Sequence, residues 1–172
     1  MSNERTRTIT WNDPRALAAA AAGLSGLEYL HKIIAGELPP PPIGVLLDSR
    51  IAEITEGSAV FLVTPAEFHY NPIGVVHGGV AATLLDSAMG CAVHSTLPAG
   101  AGYTTLEIKV NYVRAMSAET GEVRCEAKVI HVGGRTATAE GRIVDAAGKL
   151  YAHATTTCLI FRPVVNQPSV ER

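Results

Sequence analysis

Charge is scarce in this chain: Asp, Glu, Lys and Arg together make up only 17% of its 172 residues, while 47% are hydrophobic. So low a charged fraction implies extensive buried surface, including a subunit interface. The net charge of −2 and the lack of any Lys/Arg cluster exclude the electrostatic footprint of a nucleic-acid binder. Cysteine is also sparse. Its three copies, Cys91, Cys125 and Cys158, lie far apart with no CxxC, so no disulfide framework is written into the chain. Each reads as a small buried hydrophobe in a reducing, cytoplasmic setting. Long apolar runs are missing too: His77, Thr83, Asp86 and His94 interrupt the best candidate, which argues against a membrane span. The alanine-rich run from Ala16 to Leu24 follows Asp13, Pro14 and Arg15, and it reads as a helix rather than an export signal. His69 and His77 form no HExxH or paired spacing, so no metal site is expected.

What is present divides into a short extension and one main domain. Residues 1–12 read as a disordered lead-in. Asp13-Pro14 pairs an N-cap with a proline at the first helical position, and Gly23 is a stop signal. Ser25 and Glu28 form a capping-box pattern, followed by the apolar stripe Leu27, Leu30, Ile33 and Ile34 and a stop at Gly36. Pro39 to Pro42 predict a stiff extended linker. Residues 1–42 are therefore expected to be a helical extension with a proline-rich linker, 43–163 the main domain and 164–172 a tail.

In the main domain, Val45–Thr55 and Ser58–Val63 predict two strands turning at Glu56-Gly57. A loop from Phe68 to Gly79 leads to a predicted helix over Val80–Thr96, closed by Pro98 and Gly100. Four alternating segments follow. Leu106, Ile108, Val110 and Tyr112 share one predicted face of the first. Gly133-Gly134 and Ala147-Gly148 read as hairpin turns between later strands. The order predicts an α+β domain ending in a four-stranded antiparallel meander.

Asp86 is the only formally charged residue between Glu67 and Glu107, on a helix that is apolar almost all round. A buried, unpaired carboxylate costs several kcal/mol, so Asp86 needs either a backbone partner that fixes the fold or a chemical use. His77-Gly78-Gly79 opens the same helix. Free N–H groups and the positive end of the helix dipole suit an oxygen gaining negative charge. At 1.5 Å per residue, Asp86 lies roughly 10 Å along the axis from Gly79, too far to serve the same atom. A second subunit bringing its own helix alongside would complete the site, giving two sites in a C2 dimer.

The pattern Asn71-x2-Gly74-x2-His77-Gly78-Gly79-x6-Asp86, with Leu85 before the aspartate and Tyr112 on the next strand, resembles the PaaI-like thioesterases of the hotdog superfamily. The resemblance covers about Ile43 to Phe161, and Ser25 to Pro42 is similar to N-terminal extensions of that family. It implies a hotdog fold, a long helix wrapped by a curved antiparallel sheet, assembling as dimers and often tetramers. It implies hydrolysis of an acyl-CoA or aryl-CoA with no cofactor, coenzyme A being part of the substrate. The Gly78 N–H, with Asn71, would polarise the thioester carbonyl, and Asp86 of the partner subunit would act as general base or nucleophile. Thr105 or Thr104 would position the water.

Other residues carry two readings. His77 either fixes the loop or moves a proton. Gly133-Gly134-Arg135 is either a plain hairpin or, with Gly79 and Arg114, a cradle for coenzyme A phosphates. A non-catalytic acyl-CoA-binding protein is the alternative function. A hotdog dehydratase pairs Asp with His in a different local pattern.

Overall fold

The structure is a computed structural model that describes residues 4–161. Residues 1–3 and 162–172, including the tail expected over 164–172, lie outside the described residues. Asp13 caps the first helix, α1 (Pro14–Ala19), by accepting the Arg15 N–H at 2.9 Å. Ser25 and Glu28 close the expected capping box on α2 (Gly26–Ile34).

The proline segment departs from the expected linker. Pro42 opens a third helix, α3 (Pro42–Leu47), which Asp48 ends in the left-handed region at φ 54°. A proline at the first helical position loses no hydrogen bond and arrives with its φ already set, so the prolines start a helix here. The first strand, β1 (Ser49–Thr55), accordingly begins later than Val45. The lead-in is not free either: the Arg5 side chain pairs with Glu67 at 2.8 Å, and Arg7 donates to the Leu46 carbonyl at 2.8 Å while lying 3.9 Å over the Phe68 ring.

The remaining elements are β2 (Ser58–Val63), α4 (Gly78–His94), β3 (Gly102–Tyr112), β4 (Val123–Val132), β5 (Thr136–Asp145) and β6 (Leu150–Phe161). The strands form one antiparallel sheet in the order β1-β2-β4-β5-β6-β3. β4, β5 and β6 do run as a meander. β3 is not its first member, however, because it crosses over to pair with β6 and becomes an edge of the sheet. Alternation along a strand reports which residues share a face, not which strand lies beside it.

α4 supplies the centre of the core. Leu84, Leu85, Ala88, Met89, Ala92 and Val93 are buried against Phe61, Val123, Cys125, Ile143 and Cys158 of the sheet. Each fully buried large side chain contributes about 1.5–3 kcal/mol. The opposite side of α4, carrying Thr83, Asp86 and Ser87, is only half-buried, so the helix is not enclosed on every face within one chain. The overall form is the wrapped helix that the resemblance implied.

Candidate active site

The loop before α4 is built to present the helix N-terminus. Asn71 Oδ1 accepts from the Ile73 and Val75 N–H groups at 3.1 and 3.3 Å, and the Asn71 N–H donates to the Val75 carbonyl at 2.8 Å. Gly74 turns the chain at φ 79°, a value that glycine adopts freely. His69, only 4% exposed, accepts the Ala66 N–H on Nδ1 and places Nε2 3.0 Å from the Leu47 carbonyl. Burial pushes its pKa down.

His77 is the N-cap of α4. Its Nδ1 accepts the Gly79 N–H at 2.8 Å, and its carbonyl accepts from Val80 at 2.9 Å. The Gly78 N–H is left without a hydrogen-bond partner among the described residues. Tyr112 donates its hydroxyl to the Gly78 carbonyl at 3.2 Å, and its ring packs so closely that a Cβ at position 78 would lie 3.2 Å from it. His77, Gly78, Tyr112 and Arg114 line one cavity of about 320 Å³. The free donor therefore sits in a recess with an exposed guanidinium nearby.

Asp86 lies two turns further on. Its Oδ1 accepts from Thr105 Oγ1 at 2.8 Å, the one hydrogen bond to its carboxylate among the described residues. A bulge decides that contact. The β3–β6 register shifts between Thr105 and Glu107, leaving Leu106 unpaired and 56% exposed. The extra residue reverses the alternation, so Thr105 points inward together with Ile108 and Val110. Leu106, expected on the inner face with Ile108, is turned out, and Tyr112 is 58% exposed. Thr104 is exposed, so Thr105 is the threonine that meets Asp86.

Asp86 also lines a second cavity, of about 600 Å³, that does not reach Gly78. Its walls include Tyr29 and Tyr103, which no sequence motif marks, with Cys91 and His94, neither of which the sequence reading placed in a site. Tyr103 folds over Gly90, where a side chain would strike its ring. Burial pushes the Cys91 thiol up to about 12, so it is held protonated, not as a thiolate nucleophile.

One chain thus gathers His77, Gly78, Tyr112 and Arg114 at one end of α4 and Asp86 with Thr105 further along it. Gly134 and Arg135 sit in the β4–β5 hairpin, where the Gly133 N–H donates to the Thr136 carbonyl at 2.8 Å. Thr136 pairs with Leu159, which in turn pairs with Thr104. The hairpin therefore lies at the Asp86–Thr105 end of the sheet, away from Arg114.

Residues 73–152 match the thioesterase superfamily. A protein of Archaeoglobus fulgidus named as a candidate esterase is 34% identical over 112 residues, spanning 65% of this chain and 70% of that one. The chain belongs to the thioesterase superfamily. This superfamily member is also 28% identical to the 1,4-dihydroxy-2-naphthoyl-CoA hydrolase of Listeria monocytogenes, over 64% of its own length and 89% of that protein. Among solved structures, a phenylacetic acid degradation-related protein of Ralstonia eutropha superposes with a TM-score of 0.69 at 29% identity, covering 76% of this chain and 98% of that one. The PaaI protein of Escherichia coli, at 22% identity and a TM-score of 0.68 over 77% of this chain and 93% of its own, shares the hotdog fold. Family membership identifies a thioesterase or esterase hydrolase. Among the described residues no helix is long and apolar enough to cross a membrane.

Proposed function

We propose that this hydrolase cleaves an acyl-CoA or aryl-CoA to the free acid and coenzyme A, with Asp86 as the general base. One observation carries the reading: a half-buried carboxylate, oriented by the Thr105 hydroxyl at 2.8 Å, faces a cavity of about 600 Å³ and has no cation paired with it among the described residues. In this mechanism Asp86 takes a proton from water while the oxygen attacks the thioester carbonyl. The oxyanion is held by the Gly78 N–H and by the Asn71 amide NH₂, whose carbonyl oxygen is already engaged by the loop. Collapse of the tetrahedral intermediate breaks the C–S bond and releases coenzyme A thiolate, which is then protonated.

Eight residues of helix separate Gly78 from Asp86, about 12 Å. The oxyanion donor of one chain must therefore work with Asp86 of the partner subunit, so the active form is a homodimer with two shared sites, assembling further to a tetramer. β3 supports the same reading, because it is an eleven-residue edge strand, a template for pairing with a second copy. Arg114, and Gly134 with Arg135, are the proposed phosphate contacts of coenzyme A, approaching from opposite chains. Residues 43–163 form the proposed catalytic domain. Three unpaired cysteines agree with a cytoplasmic protein. The Listeria relative's name supports an aryl-CoA among the substrates.

Thiol release from a panel of aryl- and acyl-CoAs tests the proposal, with wild type and Asp86→Asn compared. The expected result is turnover by wild type and a loss of roughly 10²–10⁴ in the folded variant. Binding without release by wild type would replace hydrolysis with acyl-CoA binding alone.

A further inference from the structure

The cavity beside Asp86 has an unusual ownership. One wall is the outer side of α4, from Thr83 and Asp86 to His94, and the opposite wall is the N-terminal extension, with Tyr29 and Ile33 of α2 and Pro41 before α3. That second wall is fixed in place. Leu30 of α2 is buried in the core, and the Gly26 N–H donates to the Leu97 carbonyl at 3.0 Å. Gly26 lies so close to the His94 backbone that any side chain at position 26 would collide with it. α2 is therefore clamped onto the C-terminal end of α4.

The lining has little charge to offer a ligand. Among the described residues Arg50 is its only Lys or Arg, and that guanidinium is turned to the surface, 64% exposed and paired with Glu122 at 3.3 Å. At the far end the Tyr29, His94 and Tyr103 rings stand together, with centroids 5.8 and 5.6 Å apart in succession. Burial holds His94 below the ordinary histidine range and therefore neutral at physiological pH.

We propose that this cavity receives the acyl group of the substrate, and that α2, chiefly through Ile33 and Tyr29, determines which acyl groups are accepted. The fitting group is uncharged and mainly apolar, aliphatic or aryl, extending from Asp86 toward His94. Those residues lie eight apart on α4, about 12 Å, and about 600 Å³ is a volume typical of small-molecule pockets. An acyl group ending in a carboxylate is excluded, because the one cation among the described lining residues, Arg50, is turned to the surface on Glu122 and would not offset its desolvation. The inference rests on the thioesterase reading and adds to it the part of the chain that sets specificity.

The test measures kcat/KM of the full chain on butyryl-, octanoyl-, phenylacetyl- and glutaryl-CoA, for wild type, Ile33→Trp and Ile33→Ala. Wild type is expected to prefer octanoyl- or phenylacetyl-CoA, the preferred one separating an aliphatic from an aryl ligand, and to reject glutaryl-CoA. Ile33→Trp fills the cavity and should lower the octanoyl-to-butyryl ratio roughly tenfold or more, while Ile33→Ala should raise it. A ratio held within about twofold in every variant that melts like wild type overturns the inference, as does preferred hydrolysis of glutaryl-CoA. If Ile33→Trp does not fold, Ile33→Ala decides. If wild type hydrolyses none of the panel, the proposed activity fails on its own. The pocket is then judged by octanoyl-CoA binding: weakening in the folded Ile33 variants upholds it, and unchanged binding overturns it.

Discussion

Among the described residues Asp86 takes its orientation from a single neighbour, and that neighbour is a hydroxyl. Thr105 Oγ1 donates to Oδ1 at 2.8 Å, leaving the remaining lone pairs of the carboxylate for water. Hydrogen bonds to a charged group are worth about 1.5–3 kcal/mol. Thr105→Val is therefore expected to lower kcat roughly tenfold to a hundredfold with little change in KM, and Thr105→Ser to recover most of it. A rise in KM at constant kcat would instead place Thr105 in substrate binding alone. The two roles of His77 can also be separated at this scale. Its Nδ1 is occupied by the Gly79 N–H, which is the geometry of a cap. His77→Asn retains a capping acceptor and is expected to keep most of the activity, whereas a proton-transfer role would make it as damaging as Asp86→Asn.

At the level of elements, α4 and the bulged edge strand β3 assemble the two halves of the site. The cap on α4 stabilises the helix by about 1 kcal/mol. His77→Ala should lower the unfolding free energy by that amount, seen as an earlier midpoint of urea unfolding at unchanged slope, and His77→Asn should restore it. Leu106 is the extra residue on β3. Deleting it leaves Thr105 and Ile108 two positions apart, so strict alternation keeps Thr105, Ile108 and Val110 together on the inner face. The expected outcome is a folded protein that retains most of its activity, read by a thermal melt beside a thiol-release assay. A folded variant that loses activity as far as Asp86→Asn would show that the bulge positions more than the parity of Thr105.

For the whole molecule, the separation of Gly78 from Asp86 makes a strong demand. If sites are shared, Gly78→Val and Asp86→Asn inactivate different halves. Equal mixing after subunit exchange makes half of the dimers mixed, with one of two sites intact, so about 25% of wild-type activity should return. No recovery in a mixture shown to contain heterodimers would place the whole site within one chain. Stability should also respond to pH. Burial lowers the proton affinity of His69 and His94 below the ordinary value of 6.5. The unfolded chain then binds more protons than the folded one, so stability falls as pH drops through about 6.5. Melts from about pH 8 down to pH 5 should show that decline, and His94→Gln should flatten part of it. A melting temperature that rises on acidification would contradict this assignment.

The sequence by itself determined what depends on neighbours along the chain. The Asp13 and Ser25 caps, the loop from Phe68 to Gly79, the helix opened by His77-Gly78-Gly79 and the isolation of Asp86 all follow from spacing within a turn or two. From one local length, the helix rise, it was already legible that Gly79 and Asp86 lie too far apart to serve the same atom in one chain. Only the tertiary structure decided which strand lies beside which, because pairing β3 with β6 instead of β4 leaves each strand's own alternation unchanged. It also decided the side on which Thr105 falls, since one unpaired residue at Leu106 inverts the parity on which sequence reading relies. The cavity was the least legible part. Tyr29 and Ile33 are far in sequence from His94 and Tyr103, and they meet only because α2 folds back against the end of α4, where Gly26 gives it room.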